Sequence, residues 1–129
     1  MIVISQAHNE MRLAGTLSFL NLGVDVARIW IYDTVRPAFG ADPGGDMLVE
    51  VPLADPAGAV VDGVLTLEPG AEPLIMKTGI AVWARVVNGN GDIVFDCDVS
   101  DEAGTATIKL VDTTLRAGGV VRVLSAALG

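Results

Sequence analysis

His8 is the only histidine in this 129-residue sequence and Cys97 the only cysteine. A Ser-His-Asp relay or a two-histidine metal site would therefore depend on one residue. General-base chemistry needs that histidine beside a nucleophile and inside a pocket. His8 and Glu10 instead fall in a polar N-terminal stretch, where they are expected as surface or contact residues. Cys97 shares the apolar parity of an alternating segment with Phe95 and Val99, so it is expected to be a buried small hydrophobe and not a nucleophile. A lone cysteine forms no intrachain disulfide and supplies no zinc-finger spacing.

The acidic run Asp92, Asp96, Asp98, Asp101 and Glu102 is the next place to look for chemistry. Asp96-x-Asp98-x-Ser100 has the start of a calcium loop. Asp101 then stands where that loop needs Gly, and Thr107 where it needs Glu, so the motif fails. Strand alternation puts Asp92, Asp96 and Asp98 on one solvated face with Val94. The fifteen glycines form neither G-x-x-x-x-G-K-[ST] nor G-x-G-x-x-G, and read as turn residues. Trp30, Tyr32 and Trp83 complete the set of candidates. Trp30 and Tyr32 share one strand face, which must be buried in the core or in an interface. No residue is assigned to catalysis, cofactor or metal, and the chain is not read as an enzyme.

The elements that carry these residues follow from pattern. Residues 5–21 predict a helix capped by Ser5, with Met11, Ala14, Leu17, Ser18 and Leu20 on its apolar side, Leu13 off it, and Gly23 beyond its end. Residues 24–33 are rich in Val, Ile and aromatics and predict a strand covered on both faces. Short strands are expected over 47–53, with Pro52 suggesting an edge position, and over 60–67. The turn Asp55-Pro56-Ala57-Gly58 separates them. A strand over 79–87 leads through the hairpin turn Asn88-Gly89-Asn90-Gly91 to an alternating strand over 92–99. Residues 105–111 and 120–128 supply the last two. The fold expected is mainly β: an antiparallel β-sandwich or barrel of about seven strands with one N-terminal α-helix, in one domain over 1–129.

Composition narrows the partners. Hydrophobic residues make up 51% of the chain and aromatics only 5%, so the core must be aliphatic. A net charge of -8 disfavours nucleic acid and anionic membrane as partners. No apolar stretch reaches the length of about 20 residues that a spanning helix needs. Met1-Ile2-Val3-Ile4 lacks the basic lead and long apolar run of a secretory leader.

Three segments carry a resemblance. They are Ala27-Arg28-Ile29-Trp30-Ile31-Tyr32-Asp33-Thr34-Val35-Arg36-Pro37; Ala81-Val82-Trp83-Ala84-Arg85-Val86-Val87 with the following Asn90-Gly91-Asp92 and Phe95-Asp96-Cys97-Asp98-Val99; and Leu115-Arg116-Ala117-Gly118-Gly119-Val120-Val121-Arg122-Val123. Together they resemble a group of small virion proteins of tailed bacteriophages and prophages, similar in an N-terminal helix, an I-x-I-Y-x-x-x-R-P segment, a W-x-R-V strand, an N-G-D turn and a glycine-rich final hairpin. Val35 stands here where that group would carry a Gly. The resemblance implies a virion location and no catalytic motif. It implies a capsid decoration or cement protein, homo-oligomeric and trimeric, whose partners are the major capsid protein or other virion proteins. A tail, baseplate or head-tail connector component is the alternative, and a carbohydrate-binding β-sandwich module the second. The contact residues expected are Ile2, Val3, Ile4, Trp30, Tyr32 and Arg36.

Overall fold

The structure is a computed structural model that describes residues 3–128. Ser5 is extended, and its hydroxyl accepts the His8 amide at 3.1 Å, which starts helix α1 (Gln6–Leu20). Leu13 and Leu20 are buried and Leu17 packs beside them, so the stripe runs i, i+4, i+7. The expected stripe is thus rotated: Leu13 faces in, while Met11, Ala14 and Ser18 face solvent. Asn21 caps the helix end, and its side-chain oxygen accepts the Ala57 amide at 2.9 Å, tying the helix to the sheet.

Among the described residues nine strands follow: β1 (Arg28–Tyr32), β2 (Val49–Val61), β3 (Val64–Pro69), β4 (Gly79–Ile80), β5 (Trp83–Val87), β6 (Ile93–Ser100), β7 (Ile108–Leu110), β8 (Thr114–Leu115) and β9 (Val123–Leu128). Seven close a barrel in the order β1-β2-β3-β9-β7-β6-β5, and β4 pairs with β8 in a separate two-stranded sheet. The mainly-β fold of about seven strands with one N-terminal helix is as the sequence predicts. One neighbouring pair, β6 with β7, is parallel. Its overlap is only Val99 with Ile108 and Ser100 with Lys109, so the short 101–107 connection spans it. That connection is wound tightly: Asp101 accepts the Ala103 amide on Oδ1 and the Gly104 amide on its carbonyl.

Alternation fills the interior. Ile29, Ile31, Val49, Val51, Leu65, Leu67, Ala84, Val86, Cys97, Val99, Ile108 and Leu110 point inward, and neither tryptophan nor the tyrosine joins that cluster. An aliphatic core is what a chain with so few aromatics must build.

Four expectations are corrected. Asp55-Pro56-Ala57-Gly58 does not reverse the chain: β2 runs through it with a register shift between Leu53 and Gly58. The reversal comes at Asp62-Gly63, both at positive φ (52° and 78°), the conformation of a two-residue hairpin turn. The strand expected over 60–67 is therefore the end of β2, this turn and most of β3. Pro52 is not at an edge, because β2 lies between β1 and β3 in a closed wall. The strand expected over 79–87 is two elements, since Ala81 donates to the Thr113 carbonyl and Val82 to that of Tyr32 as the chain crosses from β4 to β5.

The hairpin between β5 and β6 also anchors the helix. Asn88 is fully buried; its side-chain Nδ2 donates to the Phe19 carbonyl, and its side-chain oxygen accepts the Asn90 and Asp92 amides. Gly89 serves close approach: a Cβ there would lie 2.0 Å from the Asp25 carbonyl oxygen. Among the described residues no helix is long and apolar enough to cross a membrane.

Candidate functional site

Parity sends Trp30 and Tyr32 of β1, Trp83 and Arg85 of β5, and Asp96 of β6 to the outside of the barrel. Tyr32 and Trp83 are register partners, and their rings stack at 4.7 Å with 16° between planes. Both are buried, because the 33–48 loop folds back over this outer face. The Trp83 indole donates to the Thr34 hydroxyl at 3.0 Å, and that hydroxyl donates to the Pro43 carbonyl at 2.8 Å. The Arg85 guanidinium reaches Asp96 twice, Nε to Oδ1 at 2.9 Å and Nη2 to Oδ2 at 3.2 Å. Nη2 also donates to the Ala41 carbonyl at 2.8 Å, and the Gly40 amide points at Asp96 Oδ2 at 3.5 Å. The result is a second buried cluster, outside the barrel and under a pinned loop.

Charge is sealed into it. The side chains of Arg85 and Asp96 are 6% and 5% exposed. The hydrogen bond to Asp96 raises the Arg85 pKa further, and burial raises that of the Tyr32 hydroxyl. Asp96 was expected on the solvated face with Asp92 and Asp98. The parity is right, but the outer face is not solvent where a loop covers it. Asp92 and Asp98 are exposed, and Asp98 pairs with Arg36 at 3.2 Å.

The predicted contact residues scatter accordingly. Trp30 is half-buried, with its indole donating to Glu50 at 2.7 Å and the Arg28 guanidinium 5.6 Å from its ring. Tyr32 is occupied within the chain, and Arg36 is exposed. Val3 is exposed and Ile4 half-buried ahead of α1; Ile2 lies outside the described residues. A carbohydrate platform of Tyr32 and Trp83 would need the loop to lift.

The chemistry-bearing residues stay apart. His8 is exposed on α1. Cys97 faces the barrel interior, where burial pushes its thiol up to about 12. Among the described residues no three His, Cys, Asp or Glu side chains converge on a point that could hold a metal.

A further surface escaped the sequence reading. Residues 74–82 and 111–122 are stitched into one patch by β4 with β8, by the bridge between Leu74 and Val120, and by Ile75 and Gly119. The chain alternates through it: Ile75, Ala81, Leu115 and Val121 are buried, while Leu74, Met76, Ile80, Val82, Val111 and Val120 stand exposed. A groove of about 410 Å³ opens in this patch, with Ile75, Leu115 and Val121 lining it alongside the rim residues Val111, Val120, Arg116 and Arg122. Arg122 leans on Glu72 at 3.6 Å; Arg116 has no carboxylate within ion-pair distance among the described residues.

Comparison with protein-family models, with curated proteins and with solved structures finds no match.

Proposed function

We propose that this chain is a structural component of a tailed-phage particle, a decoration or cement protein of the head shell, which acts by contact and not by catalysis. The observation that carries this reading is the patch at β4 and β8. Six large apolar side chains are exposed there, around a two-stranded sheet that stands outside the closed barrel. Exposed apolar clusters of this kind mark protein contact surfaces. The sequence likeness to small phage virion proteins supports the setting. Bound across subunit boundaries, such a domain stabilises the assembled shell by mass action, since it binds the assembled state and not the dispersed one.

Mass spectrometry of particles purified from the phage or induced prophage carrying the gene tests this. The chain is expected in the particle at a copy number on the order of hundreds, the number that a surface lattice requires. A copy number of about six or twelve would move it to the neck or tail, where ring symmetry sets the count. Absence from particles overturns the assignment.

A further inference from the structure

We propose that the turn after β5 holds a self-modification site: in the folded chain Asn90, and not its neighbour Asn88, converts to aspartate and isoaspartate through a cyclic imide formed with Gly91. The reaction needs only water, so it stands or falls apart from the particle assignment.

The turn carries two asparagine-glycine pairs, Asn88-Gly89 and Asn90-Gly91. In either pair the glycine backbone nitrogen can attack the asparagine Cγ. A bond forms from that nitrogen to Cγ, the Cγ–Nδ2 bond breaks, and Nδ2 leaves as ammonia with the proton of the glycine N–H. Water then opens the five-membered ring at one of its two carbonyls, which gives aspartate or isoaspartate. No oxidation or reduction takes place. Glycine favours the attack because it has no side chain to hinder the rotation that brings nitrogen to carbon.

The fold separates the two pairs. Asn88 is fully buried, and its carboxamide is held by the Phe19 carbonyl at 3.2 Å and by the Asn90 and Asp92 amides at 3.0 Å each. The nitrogen that would attack it, that of Gly89, donates to the Leu22 carbonyl at 2.9 Å, and Gly89 is itself buried. Attack there requires the end of α1 to come away from the hairpin. None of these contacts holds the Asn90 carboxamide, which is exposed. Gly91 is exposed too, at φ +85°, with open space where a side chain would stand. Its N–H donates to the Asn88 carbonyl at 3.0 Å, a bond at the tip of the turn. Opening the tip alone releases that bond, and local opening of this kind costs far less than undocking a helix.

The product bears on the anchor of α1. The Asn90 side-chain oxygen lies 2.9 Å from where a Cβ on Gly23 would stand, just beyond the helix end. A carboxylate there faces the negative end of the helix dipole. In isoaspartate the main chain also gains a methylene between residues 90 and 91, so the Gly91 amide no longer meets the Asn88 carbonyl in register. Both effects weaken the hairpin.

Peptide mapping by mass spectrometry tests this on the full chain aged in mildly alkaline buffer, folded and in urea, with electron-transfer fragmentation to identify isoaspartate. In the folded chain a gain of about one mass unit is expected at Asn90 at least about tenfold faster than at Asn88. In urea the two pairs are expected to react at similar rates, because only the fold distinguishes them. Asn90→Gln, a change at an exposed side chain, should leave the folded chain unmodified over the same period, since glutamine must close a larger ring. The modified chain, separated by anion exchange, should unfold at a lower denaturant midpoint than fresh chain. Asn88 reacting as fast as Asn90 in the folded chain, or a folded chain that stays unmodified while the unfolded one reacts, would overturn the proposal. A preference for Asn90 that persists undiminished in urea would overturn its structural basis, and an unchanged midpoint its effect on the hairpin.

Discussion

Removing one half of the pair beneath the 33–48 loop gives the sharpest test of how the outer cluster is built. In Asp96→Ala the Arg85 guanidinium keeps the Ala41 carbonyl but loses both carboxylate contacts, at 2.9 and 3.2 Å. Its side chain is 6% exposed, so water does not replace them. Breaking a buried pair from one side costs about 3–5 kcal/mol, because a charge is left uncompensated. That is a large share of the roughly 5–15 kcal/mol that holds a domain together. With a urea m-value of about 2 kcal/mol/M, the unfolding midpoint should drop by about 2 M. Tryptophan emission is a suitable readout, since Trp83 lies under the same loop with Arg85 at 5.2 Å from its ring. The native-state emission of the variant should shift to the red as the loop loosens. The double variant Arg85→Met with Asp96→Leu removes both charges and should recover to within about 1 kcal/mol of wild type. A loss below about 1 kcal/mol for Asp96→Ala, with unchanged emission, would refute the reasoning. The pair would then be behaving as a solvated surface contact.

Three other outcomes are expected. The Cys97 thiol sits at about 12 in the folded chain against about 8.5 when unfolded. Its contribution to stability is therefore complete below about pH 8.5 and declines as pH rises towards 12. Alkaline unfolding should be shallower in Cys97→Ala, and in the wild type at pH 8 a thiol reagent should react only as fast as the chain opens. Gly58→Ala would place a Cβ 2.2 Å from the Thr66 carbonyl oxygen, and should cost about 3 kcal/mol, read as a fall of about 10 °C in thermal midpoint. Ser5→Ala removes the acceptor of the His8 amide and should cost about 1 kcal/mol in a denaturant melt, whereas Ser5→Asp should keep the cap.

Periodicity made most of the fold legible. Ser5, Asn21 and Gly23 bracket α1 as their chemistry demands, and the alternation of Phe95, Cys97 and Val99 against Asp96 and Asp98 gives β6 its faces. The β2 region misled for a physical reason. Asp55-Pro56-Ala57-Gly58 has turn composition, yet it serves a bulge inside one strand, while the plainer Asp62-Gly63 turns the chain. The outer cluster was half legible. Parity puts Arg85 and Asp96 on one face, but a hairpin turn at 88–91 would set Arg85 opposite Val94, and it is the register shift between Val86 and Val87 that brings Asp96 opposite it. What the sequence could not reveal was the loop above it, since burial of an outer face depends on a segment that shares no periodicity with the strands. The β4–β8 patch was hidden for the same kind of reason. Its two halves lie about forty residues apart and each is too short to declare itself.

The closed wall has a consequence for how the molecule comes to be made. Its seams join β1 to β5 and β3 to β9, pairing residues as distant in the chain as Leu65 and Leu128. Such long-range closure is slow compared with forming the β5–β6 hairpin around Asn88. Until the last seam shuts, the nascent chain displays the unpaired strand backbone that the finished barrel conceals. The hazard of misassembly belongs to that interval, and newly made chains at high concentration should be most vulnerable during it. Once shut, each of the seven barrel strands has a partner on both sides.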